Sequence, residues 1–185
     1  RGCSGEPNRR HRRYTGGDTA DLAEVVARLT ARAPERPLVA VGVSLGGNVL
    51  LKWLGEQGAQ APLAAAAAIS PPFRLDRAAD RLNRGLSRLY QRHLLTGLNR
   101  ALAAKYADHP ESCPVPLPEL ARQRSFRAFD DAFTAPVHGY QGAADYYARA
   151  SARQFLGAIT VPTLIVHALD DPFTTRDAVP GRDEL

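Results

Sequence analysis

Pro37-Leu38-Val39-Ala40-Val41-Gly42-Val43-Ser44-Leu45-Gly46-Gly47-Asn48-Val49-Leu50-Leu51-Lys52-Trp53-Leu54 is the stretch on which the fold turns. Leu38 to Val41 is a short apolar run of the kind that a buried parallel strand shows. Gly-x-Ser-x-Gly follows at Gly42, Ser44 and Gly46. Apolar residues then recur at helical spacing: Val49, Leu50, Trp53 and Leu54. Strand, sharp turn with a serine at its tip, then helix is the context of a nucleophile elbow. So tight a turn strains the serine backbone. It also brings the positions two before and two after it against neighbouring chain, where glycine, lacking a Cβ, fits. The hydroxyl is lifted clear of the sheet and set at a helix N-terminus, where free N–H groups favour a developing negative charge. The N–H of Leu45 is the expected oxyanion donor. The competing reading is a chance match in a glycine-containing loop, but this composition yields only about 0.05 such matches before strand and helix context are required.

Working outward, residues 1–17 form a loop rich in glycine and arginine. Asp18 or Thr19 can cap a helix with apolar positions Leu22, Val25, Val26 and Leu29. Ala33-Pro34-Glu35-Arg36-Pro37 ends it. The elbow helix is expected from about Gly46 to Gln57, stopping at Gly58. Leu63 to Ile69 is a second apolar run. Its alanines alone suit a helix, but Pro62 before it and Pro71-Pro72 after it favour a strand. Strand–helix–strand implies a parallel, right-handed crossover. From Phe73 to about Gly157 no strand pattern shows. Helices are expected over Ala78–Tyr90 and His93–Tyr106, then a proline-rich break from Pro110 to Pro118, then further helices. Ile159 to His167 is a third strand, followed by the acidic turn Ala168-Leu169-Asp170-Asp171-Pro172-Phe173. The expected architecture is α/β: a partial parallel sheet with flanking helices, a core of residues 1–72 and 158–185, and an inserted helical cap over about 73–157.

A chain of 185 residues is long enough for one domain with a real core. It contains no methionine and opens inside a glycine loop, so it reads as a piece of a longer chain. The net charge of +5 raises nucleic acid or a membrane surface as partners. The arginines are spread along the chain, however, and the densest run, Arg9-Arg10-His11-Arg12-Arg13, lacks interleaved aromatics, so a solvated loop and no nucleic-acid partner are expected. Cys3 and Cys113 make no metal-type pair and no disulfide framework, which leaves a cytoplasmic setting with no metal and no cofactor as the expectation. No apolar run reaches membrane-spanning length. The terminal Arg182-Asp183-Glu184-Leu185 mimics an endoplasmic-reticulum retrieval signal and is read as coincidence.

Chemistry in open α/β sheets gathers beyond the carboxyl ends of strands, where Ser44 and the Asp170–Asp171 pair both fall. An elbow serine is followed in chain order by an acid and then a histidine. The acid orients the imidazole and stabilises its protonated form. Asp171, ahead of Pro172-Phe173, is the expected acid, and Asp170 a solvated neighbour. Plain turn chemistry is the alternative for both. None of His11, His93, His109, His138 and His167 follows Asp171. His167 reads as a strand-end residue. His138, in Pro136-Val137-His138-Gly139-Tyr140, is the candidate polar residue for a pocket, but it precedes the acid. The base is therefore expected beyond Leu185.

These residues resemble the YheT-like branch of the α/β-hydrolase superfamily, bacterial proteins related to ABHD-type esterases and lipases. Five stretches carry the resemblance: Arg1 to Asn8, the elbow Gly42 to Asn48, Ser70-Pro71-Pro72-Phe73, Phe129 to Tyr140 with Tyr146-Tyr147, and Asp170 to Phe173. The first and fourth are more specific than the elbow. The resemblance implies an α/β-hydrolase fold and a serine hydrolase acting on carboxylic esters, with Ser44 as nucleophile and Asp171 as triad acid. It also implies a triad histidine about thirty residues beyond the acid and a further oxyanion loop well before Arg1. A chain lacking both is expected to be nearly inert by itself. The cap's apolar residues suggest a small ester substrate with an apolar acyl chain. An acyltransferase of the same fold and a non-catalytic binding module are the rival readings.

Overall fold

The structure, a computed structural model, describes residue 6 and residues 8–185. Three parallel strands, β1 (Val39–Val43), β2 (Ala65–Ile69) and β3 (Thr163–Val166), lie in that order. Val43 pairs with Ile69 and Ile69 with Val166, so the three carboxyl ends finish level. β2 is alanine in four of its five positions, a residue that strands usually avoid. Tertiary packing overrides that preference: Ala66 lies under Leu54 and Trp53, and Ala68 under Leu51 and Phe73.

Helix α1 (Ala20–Arg32) precedes β1 and helix α2 (Leu45–Gln57) follows it. Of the four apolar positions expected on α1, Val26 is buried and Leu22 packs beside it, whereas Val25 and Leu29 are exposed. α2 is the central helix. Leu50, Leu51, Trp53 and Leu54 are buried, and a methyl group on Gly55 would lie 2.2 Å from the Phe155 carbonyl oxygen. Lys52 is buried too, paired with Glu56 and seated over the Phe155 ring.

Between β2 and β3 the described residues form helices and no strand: α3 (Leu75–Leu82), α4 (Ser87–Lys105), α5 (Leu117–Ala121), α6 (Phe126–Phe129), a π turn over Asp130–Thr134, α7 (Ala135–His138) and α8 (Ala143–Ala150). The helix break differs from expectation. It falls at Gly85, which takes φ 50°, and α4 runs unbroken through residues 91–92. Residues 95–133 make a hydrophobic cluster of their own, including Leu95, Leu102, Leu120, Phe129 and Phe133.

The sheet is covered on one face. On the other, Val39, Val41, Val43, Ile69, Leu164 and Val166 are all exposed among the described residues. The apolar runs that read as strands buried on both sides are here buried on one.

Candidate active site

Ser44 sits between β1 and α2 at φ 51° and ψ −124°, a conformation unusual for a residue with a side chain. Its N–H donates to the Ile69 carbonyl at 2.8 Å, and its carbonyl accepts from Gly47 and Asn48 N–H at 2.9 and 3.2 Å. Both backbone polar groups are thus used to hold the strained turn, and the residue remains exposed. A Cβ on Gly42 would meet Gly46 O at 2.6 Å and Gly47 Cα at 2.8 Å. One on Gly47 would meet Gly42 O and Pro71 Cβ, each at 3.1 Å, whereas one on Gly46 meets nothing within 4 Å. The tight approach expected at Gly42 and Gly46 therefore falls at Gly42 and Gly47. A groove of about 360 Å³ opens beside the turn, with Leu45 and Gly46 on one wall and Tyr14, Asp18 and Asp21 on the other.

Asp171 lies in the turn after β3. Its Oδ1 accepts from Phe173 N–H at 2.7 Å, and its own N–H donates to Ala168 O at 3.2 Å. Helix α4 holds this turn from outside: Ser87 Oγ donates to Pro172 O at 2.8 Å, and the Tyr90 and Phe173 rings lie 5.2 Å apart. Asp170 is exposed. β1 and β3 stand two strand spacings apart, about 10 Å. A serine at one end and a carboxylate at the other need an imidazole-sized group between them to communicate. His138 Nε2 accepts from Arg13 N–H at 3.2 Å, which leaves the ring proton on Nδ1, 3.7 Å from Asp18 Oδ2. Its buried ring holds the loop of residues 13–18. His167, just past β3 and not within it, bonds Thr174 Oγ1 through Nε2 at 2.9 Å and packs on Phe73.

The supports of the elbow were not singled out in the sequence. Asn48, fully buried on α2, donates to Gly16 O at 2.9 Å and Ala150 O at 2.8 Å, and accepts from Ala152 N–H at 2.9 Å. Gly16 N–H in turn donates to Tyr146 Oη at 2.9 Å. Tyr147 and Thr134 hydroxyls each donate to Asp130 at 2.6 Å. Burial raises the Asp130 carboxyl to about 6 despite those two donors, and burial also raises the Tyr146 and Tyr147 phenols. Ser70, level with Ser44 on the neighbouring strand, is the other non-glycine residue of positive φ among those described, at 48°. Asn48 and Ser70 sit in motifs already quoted for the elbow and the strand end, which is the one signal that pointed to them. Among the described residues no group of His, Cys, Asp and Glu can hold a metal ion, and Cys113 is a buried free thiol. Cys3 and most of the Arg1–Asn8 stretch lie outside the described residues.

A three-stranded parallel segment with a strained serine opening its first crossover belongs to one large fold class, and the sequence profile of the alpha/beta hydrolase fold matches residues 1–182. The chain belongs to that family. Within it the chain is YheT-like: it is 44% identical over 185 residues to "Putative esterase YheT" of Escherichia coli (strain K12), covering all of this chain and 54% of that protein. It is 34% identical over 180 residues to Phospholipase ABHD3 of Mus musculus, covering 97% of this chain and 44% of the mouse protein. It is also 33% identical over 198 residues to Medium-chain fatty acid ethyl ester synthase/esterase 2 of Saccharomyces cerevisiae, covering 96% and 44%. The chain spans about half the length of these curated relatives. No solved structure matches it.

Proposed function

We infer that this chain carries the nucleophile and the acid of a serine hydrolase that cleaves carboxylic esters through an acyl-enzyme. The observation that carries the reading is the Ser44 backbone, held at φ 51° by the Ile69, Gly47 and Asn48 bonds, with Gly42 closed against the helix start. Ser44 Oγ attacks the ester carbonyl, and the Leu45 N–H, first in the helix, faces the oxyanion that forms. An imidazole reaching in between Ser44 and Asp171 takes the serine proton and passes it to the leaving alcohol. Water then enters by the same base and releases the acid. In this reading that imidazole comes from outside residues 1–185, Asp171 orients it, residues 73–157 cap the site, and the protein works in the cytoplasm. His138 acts by setting the 13–18 loop beside Leu45. Names among the relatives support an ester substrate with an apolar acyl chain: Monoacylglycerol lipase of Saccharomyces cerevisiae is 32% identical over 169 residues.

Treating the intact protein with a fluorophosphonate probe tests this. Covalent label on Ser44, lost in Ser44→Ala, is expected; an unlabelled Ser44 in folded intact protein defeats the reading. The yeast relative named both synthase and esterase favours a second reading, transfer of the acyl group to an alcohol in place of water. Product analysis with ethanol present separates the two.

A further inference from the structure

Helix α4 turns an apolar stripe to solvent. Leu86, its N-cap, is 82% exposed, Leu89 66%, Tyr90 49% and Leu94 41%. Leu86 and Leu89 face away from the buried Gln91, Leu95 and Leu102, and Tyr90 and Leu94 run down the flank that adjoins the buried Ser87. Along that flank α4 meets the acid turn, Tyr90 on Phe173 and Ser87 Oγ on Pro172 O, and the same turn carries Leu169, 64% exposed. Four large aliphatic or aromatic side chains on one outer face are more than scattered exposure explains.

The charge around the stripe is of one sign. Between Asp80 and Asp108 the chain holds Arg81, Arg84, Arg88, Arg92, Arg100 and Lys105 and no carboxylate. Arg84, Arg88, Arg92 and Arg100 are exposed, and none is ion-paired among the described residues. Lys105 is turned inward to Asn8 Oδ1 and Arg10 O. On α4, Arg92 and Arg100 lie beside Leu89 on the outward face, whereas Arg88, three and seven residues before Gln91 and Leu95, lies toward the buried side.

We propose that this face of α4, together with Leu169, docks on the surface of an anionic lipid bilayer. The leucines enter the boundary between headgroups and acyl chains, and the arginines pair with lipid phosphates. Two other occupants fit less well. A second copy packed face to face would set arginine against arginine. A nucleic acid would meet leucines where stacking rings are needed, and Tyr90, the one phenol of the stripe, already packs on Phe173. Docking through α4 would lay the acid turn, and with it the carboxyl ends of the strands, next to the lipid.

The test uses the intact protein carrying Ser44→Ala, so the readout does not depend on turnover and survives failure of the esterase reading. Sedimentation with phosphatidylcholine vesicles, with and without phosphatidylglycerol, is measured. Binding is expected on the anionic vesicles and to weaken as salt is raised. Arg92→Gln with Arg100→Gln is expected to weaken it about 25-fold, roughly fivefold for each arginine at an anionic surface. Leu86→Gln with Leu89→Gln is expected to weaken it at least about tenfold. The arginine pair is exposed, so it carries the test even if the leucine pair misfolds. Absence of binding by the parent protein, or equal binding by the arginine variant, overturns the proposal. A leucine variant that changes a dimer to a monomer while binding vesicles as before overturns it in favour of a second copy. Salt-sensitive binding to DNA that exceeds vesicle binding overturns it in favour of nucleic acid.

Discussion

Asp171 and Ser44 can be probed one atom at a time. Asn at position 171 keeps an Oδ1 for the Phe173 N–H, so the turn is expected to persist in Asp171→Asn. The charge that stabilises an imidazolium is lost, and kcat of the intact protein is expected to fall about 10⁴-fold with little change in melting temperature. A fall in both together points instead to a turn-forming role. Asn48 has the opposite profile. Asn48→Ala strips partners from Ala152 N–H, Gly16 O and Ala150 O at once, and about 2–4 kcal/mol of unfolding free energy should go with them. Urea titration measures that loss. Asp130 gives a pH signature. Its folded carboxyl titrates at about 6 against an ordinary 3.8, so between these values the folded state holds more protons than the unfolded one. Stability therefore falls as pH rises through that window, by on the order of 3 kcal/mol, and the charge is no burden below it. Asp130→Asn, neutral throughout, is expected to lose that slope; identical pH profiles for the two proteins contradict the assignment.

At the scale of elements, α2 is the pivot, because three approaches converge on it: β1 through Gly42, the β2 strand end through Gly47 and Pro71, and residues 152–158 through Gly55. Gly55→Ala places a methyl 2.2 Å from a backbone oxygen that no rotamer change can move. The expected outcome is about 1–3 kcal/mol of destabilisation by overpacking, read from thermal melts. A melt unchanged within error would show that the helix slides at low cost. The elbow and its flanking strands were legible in the sequence because period, turn residues and motif agreed over residues 38–54. The break before α4 was less so: Asn83-Arg84-Gly85 competes there with a helical pattern on either side, and the positive φ of Gly85 decides the outcome. The third strand came out shorter than its apolar run, since Ile159 and Val161 pack into the core from irregular backbone.

Across the whole molecule, the uncovered sheet face has a direct consequence. Val39, Val41, Val43, Leu164 and Val166 form a contiguous apolar surface on a parallel sheet, a kind of sheet that proteins otherwise cover on both sides. Residues 1–185 in isolation are expected to bind a hydrophobic dye and to associate. Val41→Lys with Leu164→Glu should reduce both without shifting the far-UV spectrum. Association that persists in this double variant would place the sticky surface elsewhere.

The three strands, their parallel crossover, the helix after the first strand, and the positions of the serine and the acidic turn along the chain were determined by the sequence alone. They rest on local causes: hydrophobic period, a glycine where a Cβ would meet backbone, prolines closing a strand. Only the tertiary structure decided what holds these parts in place. The bonds of Asn48 span more than a hundred positions to Ala152, His138 closes on the loop at Arg13 and Asp18, and Tyr147 meets a buried Asp130. Each of these unites residues whose partners no local pattern specifies. The same is true of Arg92 and Arg100 beside Leu89 on α4, whose coherence exists only once the helix buries its other side.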